Sequence, residues 1–445
     1  MPPKQKRGAV DPARRVAFEV LKSVRVDGAY TNLVLPALLR EEGLSGRDAA
    51  FATELASGTI RWQGTYDAIL AACIDRQLSK VESKVLDALR LGTHQLLAMR
   101  VPTHAAISTT VDLVRFRVSS GAAGFANAVL RKVSAQDLAA WIAQVAPDPA
   151  TAYSHPAWVV EELRAALGRD DELEALLAAD NEPPKVTLVA RPGRATREEL
   201  PGEPTVLSPY GVVLAGGDPG QLPAVVKGRA GVQDEGSQLV AIAAAAAAID
   251  GADARWLDLC AGPGGKAALL AALAAQRGAG VVASERQQHR SLLVRRALRR
   301  APGVTGIVTA DGTAPPYRPG SFDRVLVDAP CTGLGALRRR PEARWRRRPK
   351  DVVELVRLQE RLLDSALDLT RPGGVVLYAT CSPVLAETGG VVSAVLGRRD
   401  DVALEDLGPV LPDVPDAAGP LPGTLQLWPH RHGTDAMFLA LLRKA

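Results

Sequence analysis

Two cysteines carry the most distinctive chemistry in this chain. Cys331 stands in Asp328-Ala-Pro-Cys331-Thr-Gly and Cys381 in Tyr378-Ala-Thr-Cys381-Ser-Pro. Each follows a short run of buried-type residues, 324–327 and 375–379, that reads as a strand. Neighbouring strand ends of a parallel sheet open into one crevice, so both thiols are expected to face it. A lone cysteine is usually packing material. Two at the mouth of a cleft point to nucleophilic catalysis.

The residues around them suggest what shares that crevice. The stretch Asp258-Leu-Cys260-Ala261-Gly262-Pro263-Gly264-Gly265-Lys266 opens into an Ala-rich helix. Its glycines let backbone approach a ligand closely. Glu285, Asp311 and Asp328 each end or follow a further strand. An acid at such a place can bind ribose hydroxyls. Lys266 is followed by Ala267, so the Gly-Lys-Ser/Thr end of a triphosphate loop is missing. An acid-rich rim suits a ribose, an adenine amine and a positive centre, which is S-adenosylmethionine.

The elements that must position these groups follow from hydrophobic period. From residue 236 onward, strand-like runs at 256–259, 280–284, 306–309, 324–327 and 375–379 alternate with helical stretches. That rhythm predicts a mostly parallel, doubly wound α/β sheet. Residues 13–145 read as helices throughout, an all-α bundle, with Ser79 and Glu82 in a capping-box pattern and breaks at Pro102 and at Gly121/Gly124. Residues 146–235 mix helical patterns with short strands at 185–190 and 211–215 and read as a small α+β connector. Residues 1–12 read as a disordered basic tail. Three domains suit a length of 445 residues.

Composition excludes other classes. With 47% hydrophobic and 23% charged residues the chain is globular rather than disordered. Four cysteines rule out a disulfide scaffold and suit a reducing cytosol. No apolar run approaches the ~20 residues of a membrane span, and no metal-ligand spacing stands out. His430-x-His432 reads as loop polarity. The net charge of +5 is unevenly held: residues 1–145 carry +6 and residues 338–350 carry +7. The second run, with Arg338, Arg339, Arg340, Arg344, Trp345, Arg346 and Arg347, interleaves arginine with an aromatic ring, as phosphate binding and base stacking do. RNA contact is expected there.

The stretches 258–266, 328–334, 338–345 and 378–383 resemble the RNA cytosine-5 methyltransferases of the NOL1/NOP2/Sun family. Residues Arg14-Arg-Val-Ala-Phe-Glu-Val-Leu and Phe125-Ala-Asn-Ala-Val-Leu-Arg-Lys132 resemble a NusB-like helical domain. The resemblance covers nearly the whole chain. It implies a NusB-like bundle, a connector and a Rossmann-like class I S-adenosylmethionine-dependent methyltransferase domain. It implies Cys381 as nucleophile toward C6 of cytosine, Cys331 as the thiol assisting product release, and Asp328 as a partner of the base. It also implies residues 260–266 as the methionine-binding loop, Glu285 at the ribose and Asp311 at the adenine. The combination points to 16S rRNA as substrate and to a cytoplasmic monomer. Two alternatives stay open: the same chemistry on tRNA or another rRNA, and a noncatalytic RNA-binding assembly factor. Whether the NusB-like domain binds RNA, protein or both is left open by the sequence. The family loop usually has Ala where Gly262 stands and Thr where Ala267 stands.

Overall fold

Helix starts in the N-terminal half are written in short polar residues. Asp11 accepts from the Arg14 amide at 2.9 Å and opens the helix Pro12–Val26. Ser119 caps Ser120–Val133, and Asp137 caps Leu138–Val145. Such caps satisfy amides that have no partner inside the helix. The computed structural model describes residues 10–445. Most of the expected tail, 1–9, lies outside the described residues, and Pro12 is already helical. Two local expectations need correction. Glu82, not Ser79, is the N-cap of Ser83–Leu97, because Ser79 is taken up in the 3-10 turn Leu78–Lys80. Gly121 and Gly124 lie inside Ser120–Val133, so the break falls just before it, at 118–119.

The chain forms two compact units with bounds unlike the three expected segments. The first holds the described residues up to Glu161 together with Leu173–Pro183 and Leu337–Arg346. Its core is the apolar stripe of each helix, with Val16, Leu55, Ile69, Leu89, Leu113 and Leu130 fully buried. The basic segment 337–346 belongs to this unit, with Pro341, Glu342, Ala343 and Arg344 buried in it. Arg344 is fully buried and donates to Asn181 Oδ1 (2.8 Å), the Ser154 carbonyl (3.0 Å) and the Asp180 carbonyl (3.2 Å). Burial pushes its pKa down to about 9. Glu342, also buried, accepts from the Thr31 amide and hydroxyl at 3.2 and 2.9 Å. Trp345 donates to the Ile60 carbonyl at 2.8 Å, and Arg61 donates to the carbonyl of Arg338 at 3.2 Å. Arg340 and Arg346 stack on the Tyr30 ring.

The second unit contains two sheets. Strands β1 (Thr187–Ala190), β2 (Gly202–Pro204), β3 (Gly211–Leu214) and β4 (Ala230–Val232) form an antiparallel sheet in the order β2-β3-β1-β4. The larger sheet uses β5 (Arg255–Asp258), β6 (Gly280–Glu285), β7 (Val304–Thr309), β8 (Phe322–Asp328), β9 (Thr370–Thr380), β10 (Val402–Glu405), β11 (Leu425–Gln426) and β12 (Phe438–Lys444). Its order is β10-β12-β9-β8-β5-β6-β7, parallel from β9 to β7 and antiparallel beyond β9, with β11 paired to β12. This is the expected α/β Rossmann-like fold. The Gly265–Gln276 and Pro349–Leu369 helices bury apolar faces in its two cores. The order reverses beside β5, so the ends of β5, β6, β8 and β9 surround the crevice where such sheets bind ligands. Among the described residues no helix is long and apolar enough to cross a membrane.

Arg344→Ala strips four buried acceptors, on Arg61, Ser154, Asp180 and Asn181, of their donor, a loss of about 3 kcal/mol. We expect a clearly lower melting temperature for Arg344→Ala and an unchanged one for the exposed Lys350→Ala. Equal melting for the two variants would show that the guanidinium does not hold this unit together.

Candidate active site

Parallel pairing of β8 with β9 sets Asp328 opposite Ala379. The loops that follow these strands bring Cys331 Sγ within 3.3 Å of Cys381 Sγ. The hydrogen bond to Cys381, together with burial, pushes the Cys331 thiol well above its usual pKa. Cys331 therefore keeps its proton at neutral pH. Lys266, in the first turn of Gly265–Gln276, donates to Asp328 Oδ2 at 2.9 Å. Burial works against its charge, but Asp328, the Cys381 side chain and Asp258 outweigh burial and raise its pKa. One ammonium thus sits among the Asp328 carboxylate, the Asp258 acid and the thiols.

The loop before that helix is shaped by glycine. Gly264 has φ +110°, and a Cβ there would lie 2.6 Å from Ala297 Cβ. A Cβ on Gly262 would collide with the Glu285 carboxylate. Glycine at 262 leaves the Glu285 carboxylate its place. The Ala261 amide donates to the Ser284 carbonyl at 2.8 Å, tying the loop to β6. Pro263 is exposed, and Cys260 is half-buried with its thiol pushed well up by burial and by Asp258. Glu285, buried at the end of β6, accepts from the Gln287 amide at 2.8 Å. Arg290 donates to the Gly262 carbonyl at 2.6 Å. Asp311 accepts from the amide and hydroxyl of Thr313, at 3.0 and 2.8 Å, which lowers its pKa.

Asp258 was present in the motif but not singled out in the sequence. It is fully buried at the end of β5, and among the described residues its Oδ2 has no hydrogen-bond partner. Burial, with Asp328 nearby, pushes its pKa up to about 8. A buried acid of this kind favours a positively charged ligand. With Glu285 and Asp311 at the next two strand ends, the donor set fits a sulfonium, a ribose and an adenine. The residues present therefore suit S-adenosylmethionine.

Two further residues hold the thiol loops. Glu387 is fully buried and accepts from the Thr332 amide (2.8 Å), Thr332 Oγ1 (2.5 Å), Ser382 Oγ (2.6 Å) and Gln359 Nε2 (2.9 Å). Thr332 follows Cys331 and Ser382 follows Cys381, so one carboxylate fastens both loops. Arg347 donates from Nε to the Thr332 carbonyl (3.0 Å) and from Nη2 to the Cys331 carbonyl (3.1 Å). The only sequence trace of Glu387 is an acid shortly after the Thr-Cys-Ser motif. Of residues 338–347, expected at RNA, most are turned from solvent or engaged within the protein. Arg338 and Arg344 are buried, Trp345 and Arg347 are spent on backbone carbonyls, and Arg339 and Arg340 are half-buried. Arg346, over Tyr30, is the one exposed member of the set.

The family described as 16S rRNA methyltransferase RsmB/F matches residues 248–443, and the NusB family matches residues 11–135. The Mycobacterium tuberculosis protein Rv1407 is 52% identical over 452 residues, covering 99% of this chain and 98% of its own. Ribosomal RNA small subunit methyltransferase B of Pseudomonas syringae pv. tomato is 32% identical, covering 97% of this chain and 96% of its own. The crystal structure of PH0851 matches with a TM-score of 0.79 at 23% identity, covering 99% of this chain and 100% of its own. NSun6 from Pyrococcus horikoshii with SFG matches with a TM-score of 0.55 at 17% identity, over 65% of this chain and 98% of its own. These two structures share the fold.

Asp258 gives the site a pH signature. Its pKa is about 8 in the folded chain and ~3.9 in an unfolded one. The folded state thus holds more protons between those values. The stabilisation is whole below the lower value and is lost as pH rises through the upper one. Asp258→Asn removes that loss. Its melting temperature should gain on the wild type from pH 5 to about pH 8 and level off above that. Parallel melting curves across that range would contradict the assignment.

Proposed function

The chain belongs to the RsmB/F family of 16S rRNA methyltransferases, and we propose that it methylates C5 of a cytosine in 16S rRNA through a covalent bond from Cys381 to C6. The observation that carries this reading is the pair of thiols 3.3 Å apart beside the Lys266–Asp328 ion pair. C5 of cytosine is a weak nucleophile. Addition of a thiolate at C6 moves electron density to C5 and N3, and C5 can then attack an electrophile.

Cys381 is the better nucleophile of the two. It is half-buried beside the Lys266 ammonium, which favours a thiolate. Cys331 is buried and keeps its proton, so it can donate its S–H toward the Cys381 sulfur. Asp328 can accept a hydrogen bond from protonated N3 and steady the charge left by thiolate addition. S-adenosylmethionine supplies the electrophilic methyl group when bound, held by the 260–266 loop, Asp258, Glu285 and Asp311. The ring is restored when a solvent water takes the C5 proton: the C5–H electron pair forms the C5=C6 bond and the C6–S pair returns to Cys381 as a thiolate. Cys331 sits close enough to serve that second half. The base must be flipped from its stack, since C6 is attacked from the ring face.

Bisulfite sequencing of 16S rRNA from cells with and without the gene tests the substrate. One cytosine protected only in the presence of the protein is expected, and no difference overturns the assignment. In vitro, Cys381→Ala should lose methylation at least a thousandfold. Cys331→Ala should accumulate a protein–RNA adduct that survives denaturing gels. An adduct on Cys381→Ala instead would reverse the two roles.

A further inference from the structure

Much of the arginine run at 338–347 is buried or spent on backbone carbonyls, whereas a second run stays open. Residues 286–300 contain six arginines and no acid. That is +6, against a net of +5 for the whole chain. Arg295 and Arg296 close the helix Gln288–Ala297, and Arg299 and Arg300 follow it. All four are exposed, and none makes an ion pair or a side-chain hydrogen bond among the described residues.

The antiparallel sheet adds to this surface. Buried Arg191 donates to the Gly228 carbonyl at 2.9 Å and to the Ala297 carbonyl at 3.2 Å. That fastens the 227–229 turn to the helix end. Gly228 lies against the Arg299 carbonyl, 3.7 Å from where its Cβ would be. Lys227, exposed, and Arg194, donating only to the carbonyls of Gly228 and Lys227, therefore join the same face. Arg229, in the same turn, is neutralised by Glu199.

A helix C-terminus favours cations by about 0.3–1 kcal/mol each, and only within its last turn. This covers Arg295 and Arg296. It leaves Arg299, Arg300, Arg194 and Lys227 unexplained. Like charges gathered within a Debye length of ~10 Å repel one another unless an anion joins them. Guanidinium groups match phosphate oxygens in geometry. The helix starts three residues after Glu285 at the cofactor end and runs ten residues, about 15 Å. An RNA with one base in the crevice spans that distance within a few nucleotides.

We propose that Arg295, Arg296, Arg299 and Arg300, flanked by Arg194 and Lys227, form a phosphate-binding surface for the substrate RNA backbone. The assignment deepens the rRNA reading and rests on it. The test compares the full-length wild type with an Arg295→Ala, Arg296→Ala, Arg299→Ala, Arg300→Ala quadruple variant, by titration with a 16S rRNA transcript at several salt concentrations. Each lost phosphate contact takes about 0.7–0.9 from the slope of log K against log salt. The variant should bind at least tenfold more weakly at 0.1 M salt, with the slope reduced by about three. Its melting temperature and S-adenosylmethionine affinity should stay unchanged. Equal RNA affinity and slope overturn the proposal, and so does a loss confined to poly-glutamate, a stand-in for an acidic protein. If the wild type binds the transcript but leaves it unmethylated, the rRNA reading fails instead, whatever the slopes show.

Discussion

Lys266 and Asp328 place a positive and a negative charge 2.9 Å apart in a crevice that also holds Asp258, Cys331 and Cys381. Removing either partner of this half-buried pair leaves the other charge uncompensated in the crevice. Much else answers to this constraint. Without Lys266, Asp258 and Asp328 would face each other with no cation between them. The same ammonium is the source of positive field near Cys381. Helix Gly265–Gln276 sets Lys266 in its first turn, and the loop glycines set where that helix starts.

A second constraint is the spacing of the thiols. Two loops from neighbouring strands would drift independently unless tied. Glu387 takes four donors, and its two carboxylate oxygens have about four acceptor sites. Arg347 fixes the carbonyls on the other side of Cys331. The Glu387 tie is fully buried and the Arg347 tie partly so, which leaves the pair little room to relax.

The parallel core and its ligand loops were legible in the sequence. Strands β5, β6, β8 and β9 are short runs of buried residues that end in an acid or a motif, and period alone finds them. The antiparallel strands β10 and β12 were missed: β12 is an apolar run without alternation, and β10 is a short edge. The site acids were legible because each closes or directly follows a strand. Asp258 hid inside a motif read as a glycine loop, and its burial depends on packing from both sides. The arginine run at 338–347 misled because charge is normally solvated. Arg344 meets Ser154, Asp180 and Asn181 more than 160 residues earlier in the chain, and no local pattern encodes that meeting. The open run at 286–300 lacks an interrupting aromatic residue, the cue that drew attention to the other.

The account turns on an inequality between two thiols. Cys331 is held protonated by burial and by Cys381, whereas Cys381 is open to the crevice and faces Lys266. Alkylation of each cysteine by iodoacetamide, followed site by site with mass spectrometry from pH 6 to pH 10, measures this directly. Cys381 should react many times faster than Cys331 at pH 7, and Lys266→Met should slow Cys381 selectively. Faster alkylation of Cys331 at neutral pH, or a Cys381 rate indifferent to Lys266, would contradict the account.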